Sequence, residues 1–346
     1  MFYNPEFLQL NNAQEHWNQL WATRDYHAGI DGVLRRNAIA AGMQVNAEGP
    51  ARDFWKAVDN QVVELRDQET GMEIITDLLP VQTVLSIGKT VKFYNQVGDI
   101  DDSVAISMDG QAPYSFDHVD YDSDGDPVPI IQAGFGVNWR HWQGMRTVDM
   151  DVALDSQRAR QREYNRKLVS LALDGKSSIK VDGKQSQGLR NHRNTQKIDL
   201  QGVINLTTAT AAQLIAFFQG PFATLLTANR IQALDVLWVS MEAWDNMAKI
   251  HVENGVTVGT VREFLLRFSR VGDIRGTFAL SGNEMLGYVR SRDVVSPLVG
   301  MPTSTLPLPR PMPESNYNFR IMGAMGMQVK ADAAGLGGVF YGANLT

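Results

Sequence analysis

Four short stretches carry residue types that could do chemistry. Gly88-Lys89-Thr90 is the tail of a phosphate-binding loop, in which backbone N–H groups and a lysine cradle phosphates. The glycine that should open that loop falls at Thr83, and the surroundings read strand–turn–strand, so no nucleotide site is expected. Asp120, Asp122, Asp124 and Gly125 match the first half of a calcium loop, whose oxygens surround a hard cation. The bidentate glutamate that should close it is Ile131, and Pro127 interrupts it, so an acidic turn is the default reading. His192 stands between Arg190 and Arg193 and could bind an anion, although a solvated basic loop is the ordinary reading. Trp139 and Trp142, flanking Arg140 and His141, could stack on nucleic acid, but packing at the base of the acidic segment suits them better.

The remaining signals exclude more than they assign. His16, His27, His118, His141, His192 and His251 are scattered, with no paired metal spacing. There is no G-x-S-x-G elbow, and with no cysteine there is no thiol catalysis, disulfide or thiolate metal site. Acidic pairs without a cleft are not a catalytic dyad. The expectation is therefore a chain with no catalytic, metal or cofactor-binding residues, and not an enzyme. A net charge of −6 and a pI near 5.6 argue against a free, sequence-reading DNA protein but allow a locally basic surface. Nothing resembles a signal peptide, and no apolar run approaches a membrane span, so a soluble chain made in a cytoplasm is expected.

The elements that would position these residues are uneven. A long helix is expected from Thr147 to Asp174, free of Gly and Pro, with Gly175 as its left-handed cap. Arg158, Arg162 and Arg166 recur every four residues along one of its faces. Its apolar side, with Leu168, Val169, Leu171 and Leu173, is continuous only near the end. Residues 98–136 hold nine Asp and no Lys or Arg, and alternate short β-like runs with turn signals at Asp109-Gly110 and Asp124-Gly125. They read as a long two-stranded flap, marginal alone and most simply stabilised by another subunit. Residues 1–48 read as an arm with a short capped helix, and Gly49-Pro50 opens another helix. Strands are expected from Met72 to Val97, broken by Pro80 and Gly88. A hairpin turning at Asp182-Gly183 leads into a second domain, with helices after Thr210, Pro221, Ser240 and Thr260. Its strands are expected at Asp235–Val239, Thr277–Leu280 and Met285–Val289. Prolines 302, 307, 309, 311 and 313 suggest a polyproline-like connector before the C-terminal strands.

This order of parts resembles the Hong Kong 97 fold of tailed-bacteriophage major capsid proteins, shared with encapsulin shell proteins. The local carriers are ISMDGQAPYSF…PVPIIQAGFGVNWR, from Ile106 to Arg140, and the ending VKADAAGLGGVFYG. The resemblance implies an α+β chain with an N-terminal arm (1–49), an extended loop (98–136) and an axial domain (200–310). A peripheral domain would be assembled from 50–97, the spine helix with 137–199, and 311–346. It implies pentamers and hexamers closing an icosahedral virion capsid around double-stranded DNA, assembled in a host cytoplasm. Partners would be other copies of the chain and DNA held without sequence preference, with scaffold, portal and decoration proteins as further candidates; no membrane partner is expected. By the same analogy Arg158, Arg162 and Arg166 would face DNA. Asp109, Tyr114, Phe116, Asp120, Asp122 and Asp124 would make inter-subunit loop contacts. Some relatives cross-link a lysine to an asparagine, and the lysine-free flap implies no such bond. An encapsulin-type compartment enclosing cargo enzymes is the rival reading, and a soluble α/β enzyme built on 200–310 a more distant one.

Overall fold

The computed structural model describes residues 71–98, 108, 121–140, 152–253 and 256–345. The expected arm, the helix from Gly49-Pro50, the flap tip with Asp109, Tyr114, Phe116 and Asp120, and Trp142 lie outside the described residues.

The described chain opens with α1 (Met72–Leu78), a 3-10 turn (Leu79–Val81) and β1 (Thr83–Val84). The expectation of strands from Met72 is corrected here. Met72, Ile74, Ile75 and Leu78 are buried on one side of a helix, so tertiary burial overrides the β preference of the Ile-Ile-Thr run. Pro80 sits in the first turn of the 3-10 element instead of separating strands. Gly71 enters α1 at φ 84°, and a Cβ there would lie 2.7 Å from Val169 Cγ1 and 2.8 Å from the Ala279 methyl. Only glycine fits both the conformation and the space.

Next come β2 (Val91–Val97), β3 (Tyr121–Pro127) and β4 (Ile130–Val137). The long helix follows as α2, Val152–Asp174. At 1.5 Å per residue it is a rod of about 34 Å. Gly175 ends it at φ 69°, the left-handed cap expected. The late part buries Tyr164, Leu168, Val169, Ala172 and Leu173. The early part buries Gln157, Gln161 and Asn165 instead, and Gln161 Nε2 donates to Asn165 Oδ1 at 2.9 Å. The interrupted apolar stripe is thus continued inward by amides at four-residue spacing.

The hairpin β5 (Gly175–Val181) and β6 (Lys184–Gln187) turns at Asp182 (φ 49°) and Gly183 (φ 77°), both left-handed as a type I′ turn requires. The chain continues through β7 (Gln196–Asp199), α3 (Ala211–Gln219), α4 (Pro221–Ala228), β8 (Val236–Ser240) and α5 (Met241–Met247). Then come β9 (Ile250–Glu253), β10 (Val256–Thr260), α6 (Val261–Phe268), β11 (Ile274–Thr277) and β12 (Met285–Tyr288). Thr260 closes the capping box expected with Glu263, and Thr210 closes a second one with Gln213. The strand expected at Thr277–Leu280 ends at Thr277, whose hydroxyl accepts the Ala279 N–H and turns the chain away. Ala211–Ala228 is apolar enough for a membrane span, but Gly220-Pro221 splits it into helices of nine and eight residues. Each is far short of the roughly 20 residues a span needs.

The chain closes with β13 (Val295–Pro307), β14 (Tyr317–Val329) and β15 (Val339–Ala343). Much of the expected proline connector is therefore a paired strand. Proline is tolerated because β13 pairs along its second edge only with Thr83 and Val84, and Pro302 falls where the β13–β14 register slips.

Two sheets organise these strands. One has order β1-β13-β14-β4, the other β11-β8-β12-β15-β7. The first packs with α1 and the late part of α2 around Ile75, Leu168, Val299, Ile321 and Met325. The second carries a separate core with α3 to α6 around Phe217, Phe218, Phe222, Val239 and Leu265. The cores meet at Asp77, which accepts from Arg275, Arg290 and the Tyr288 hydroxyl, while Trp238 Nε1 donates to that hydroxyl.

Candidate interaction surface

The acidic segment enters and leaves the body as an antiparallel ribbon of β2 and β3. Asp124-Gly125, expected as a turn, lies inside β3. The register Lys92↔Asp126, Tyr94↔Asp124 and Gln96↔Asp122 puts three aspartates on one face, because alternate strand residues share a face. That face turns towards the hairpin β5–β6 and residues 188–194.

Its charges are matched there. Lys184 Nζ donates to Asp124 Oδ1 at 2.7 Å, and Arg193 Nε donates to Asp124 Oδ2 at 2.6 Å. Arg193 Nη2 also donates to Asp126 Oδ1 at 2.9 Å and to the Gly125 carbonyl at 3.1 Å. His192 Nε2 lies 2.9 Å from the same Asp126 oxygen, with both side chains buried. Asn194 Nδ2 donates to the Tyr94 hydroxyl, which donates to Asp124 Oδ2. Burial alone would raise the Asp124 pKa, but the hydrogen bonds from Lys184 and Arg193 prevail and hold it at about 2. Burial likewise works against the Arg193 charge, and Asp126 and Asp124 more than restore it.

These contacts decide several expectations. The calcium-loop pattern is a strand whose Asp124 carboxylate is already held by a lysine and an arginine. Asp124 is therefore engaged within its own chain, and Asp122 is exposed. Arg190, His192 and Arg193 are neither a solvated loop nor an open anion site. His192 and Arg193 meet the aspartates of β3, and Arg190 bonds Asp174, Glu284 and the Ala279 carbonyl. Within the chain the basic partners of Asp124 and Asp126 are this loop and Lys184. The period-two run Asp122, Asp124, Asp126 carries a readable signal for this arrangement, since one strand face with three carboxylates needs a basic counterpart.

Arg158, Arg162 and Arg166 do share an exposed face of α2, joined by Arg160 and Lys167. Glu163 also lies on it and accepts from Arg166 at 3.4 Å. Trp139 is partly exposed, and its backbone N–H donates to Asn316 Oδ1, tying the end of β4 to the approach of β14. A concavity of about 660 Å³ lies between residues 200–209 and α3. Of its lining amides, Asn283 bonds Ile204, Leu206 and Asn344, and Asn205 Oδ1 accepts from Thr207. Among the described residues no group of His, Cys, Asp and Glu could hold a metal ion.

Comparison with known proteins agrees with this architecture. The structure matches that described as the capsid of Myoviridae phage XM1 with a TM-score of 0.56 at 17% identity, covering 78% of this chain and 92% of that one. It matches a virus-like particle from Pyrococcus furiosus with a TM-score of 0.56 at 12% identity, over 84% of this chain and 100% of the other. A chain of Mycobacterium phage Bobi gives 0.51 at 13% identity, over 77% and 90%. At these identities the likeness establishes the fold, which is the α+β Hong Kong 97 type. No curated protein matches the sequence. A family model does, across residues 37–342, and on that extent the chain belongs to the family of unknown function DUF6260.

Proposed function

We propose that this chain is the structural subunit of a tailed-bacteriophage capsid. It self-assembles into pentamers and hexamers that close an icosahedral shell around double-stranded DNA in the virion, after assembly in the host cytoplasm. The observation that carries this reading is the fold, shared over 92% of the phage XM1 capsid chain. In this reading a peripheral domain is drawn from 50–97, 137–199 and 311–346 and an axial domain from 200–310; the helical core around Phe217, Phe222 and Leu265 supports the latter. Residues 1–49 would serve as an arm and 98–136 as the loop between subunits. The reading has no catalytic step: the chain works through shape and contact area, not as an enzyme. DNA would be held by phosphate contacts from Arg158, Arg162 and Arg166 without sequence readout. Scaffold, portal and decoration proteins are candidate further partners.

The Pyrococcus furiosus particle has the same fold, so fold alone does not choose the contents of the shell. Expression of the full chain, followed by electron microscopy and nucleic-acid analysis of the particles, tests the reading. Closed shells built from pentamers and hexamers are expected, with DNA-filled heads when the phage genes are present. Protein-filled cages would favour a cargo compartment, and a compact monomer under all assembly conditions would overturn the proposal.

A further inference from the structure

The concavity between residues 200–209 and α3 carries no charge, and its unused polar atoms are of one kind. Leu200 and Phe217 are buried beneath it, Ala216 and Pro221 line it from α3 and α4, and Val203 stands 56% exposed beside them. None of its lining residues is acidic or basic. Its volume of about 660 Å³ falls within the roughly 300–1,000 Å³ of ordinary ligand pockets.

An amide side chain has an oxygen that accepts and a nitrogen that donates. Here backbone partners fix which end is which. Gln213 Oε1 accepts the Thr210 N–H at 2.9 Å, so Nε2 is the end left over. Asn205 Oδ1 accepts the Thr207 N–H at 3.1 Å, which leaves Nδ2. Asn283 Oδ1 accepts the Leu206 N–H, so Asn283 Nδ2 is the donor to Asn344 Oδ1 at 2.8 Å, and Asn344 Nδ2 is left. Each of these three leftover groups is an N–H donor without a partner among the described residues. The carbonyls close by are already in use: Leu200 accepts from Val203 and Ile204, Asn205 from Thr208 and Ala209, Ile204 from Asn283, and Ala216 from Gly220. The side chains of Gln201 and Thr208 can act either way.

We infer that this concavity binds a short, uncharged, proline-rich segment of another protein, whose backbone carbonyls accept from Asn205, Gln213 and Asn344 while its apolar side chains lie over Leu200 and Phe217. Such a segment matches the site because it accepts without donating: proline has no N–H, and a polyproline II backbone keeps its carbonyls outside any internal ladder. An ordinary peptide or a carbohydrate would bring donors as well, and the acceptors to meet them are taken. A phosphate or carboxylate would find donors but no lysine or arginine in the lining to neutralise it. The chain's own proline run is not free to serve. Pro302 and Pro307 lie in β13, and Arg310 holds the turn after it through the carbonyls of Pro313 and Ser315. The site is separate from the arginine face of α2 and from the ribbon, so it adds a partner to the shell reading without depending on it.

Equilibrium dialysis of the full chain against radiolabelled acetyl-Pro-Pro-Leu-Pro-Pro-amide tests this. Saturable binding at one site per chain is expected, with a dissociation constant of roughly 10–500 µM, and acetyl-Ala-Ala-Leu-Ala-Ala-amide should bind at least fivefold more weakly. Gln213→Glu and Asn205→Asp are the matching variants. Each keeps the oxygen that accepts the backbone N–H and replaces the leftover donor by a carboxylate oxygen, so the urea midpoint should stay at the wild-type value while affinity falls at least tenfold. A photo-leucine in place of the leucine of the proline peptide should label residues 200–221 of the wild-type chain. Absence of saturable binding, equal binding of the alanine peptide, unchanged or tighter binding by both variants, displacement by inorganic phosphate, or labelling elsewhere would each overturn the inference. None of these results bears on whether the chain builds shells, which the particle images decide.

Discussion

Arg193 is the residue on which the direction of the ribbon depends, and Arg193→Leu is the perturbation that measures it. Its guanidinium makes bonds to Asp124, Asp126, the Gly125 carbonyl and Gln187 Oε1. Removing one partner of a fully buried ion pair costs about 3–5 kcal/mol, because a charge is left buried without compensation. The loss here is smaller for two reasons. Arg193 is 30% exposed, and Lys184 still holds Asp124 while His192 still faces Asp126. Asp126 pulls the other way, since it is 2% exposed and its Oδ2 already lacks a partner among the described residues. A value of about 2–3 kcal/mol follows. It should appear locally. In hydrogen exchange at pH 7, amides of Val91–Val97 and Tyr121–Pro127 should lose protection by roughly 30- to 150-fold, at 1.4 kcal/mol per factor of ten. Amides of Val236–Ser240, in the other sheet, should not change. Lys184→Met, which leaves Arg193 on Asp124, should cost only about 1 kcal/mol. Equal loss of protection in both regions, unchanged ribbon protection, or a larger effect from Lys184→Met would refute the assignment of Arg193 as the anchor.

Three further outcomes are expected. Asp124 titrates at about 2 against an ordinary 3.8, so its contribution is complete above pH 4 and lost as pH falls through 2; after discounting for solvent screening it is about 1–2 kcal/mol. Acid unfolding of Asp124→Asn should accordingly be less steep between pH 4 and 2 than that of wild type. Gly71→Ala should destabilise the first core by about 2–3 kcal/mol in urea unfolding, through a positive φ and two contacts under 3 Å. Replacing Arg158, Arg162 and Arg166 by Ala should weaken binding to random-sequence duplex DNA and lower the salt slope by about 3, leaving sequence preference unchanged; an unaltered slope would remove these arginines from the DNA surface.

Much of the fold could be read locally, and the failures share a cause. The capping box at Thr260, the Asp182-Gly183 turn, the apolar run before Ser240 and the glycine stop at 175 are decided by neighbours in sequence, and each stands where its spacing puts it. Misread elements are those whose conformation is decided by pairing or packing partners a dozen or more residues away, outside the reach of a local pattern. Residues 72–78 carry β-branched residues but fold as a helix packed on α2. Prolines 302 and 307 imply a connector, yet β14 recruits them into a ladder. Asp124-Gly125 has turn composition, yet β2 pairs it across. The same holds for function. The arginine stripe of α2 is a helix-periodic signal and is exposed as expected. The counter-ions of the acidic face come from residues 184–193, after the whole of α2, where no local pattern points to them.

Charge composition alone would make the acidic flap an electrostatic arm seeking a basic neighbour. The geometry separates two roles that composition merges. Asp124 and Asp126 are neutralised by Lys184, His192 and Arg193 of their own chain, so little of their field is left for another subunit. What the ribbon offers outward is apolar, with Phe93, Val97 and Tyr121 exposed, and an apolar contact is not screened by salt as surface ion pairs are. The arrangement also fixes the order of events. Because the ion cluster lies within one chain, the ribbon is aimed before any partner arrives, and its orientation entropy is spent on folding, not on association. Loss of Arg193 should therefore slow assembly more than it loosens finished particles, whereas loss of the Phe93–Val97–Tyr121 face should weaken both. Time-resolved light scattering of assembly, set beside urea-induced particle dissociation, separates these outcomes. If Arg193→Leu weakened finished particles as much as replacement of Phe93, Val97 and Tyr121 by serine, the ion cluster would itself belong to the contact between subunits, and the division of labour between the two faces would be wrong.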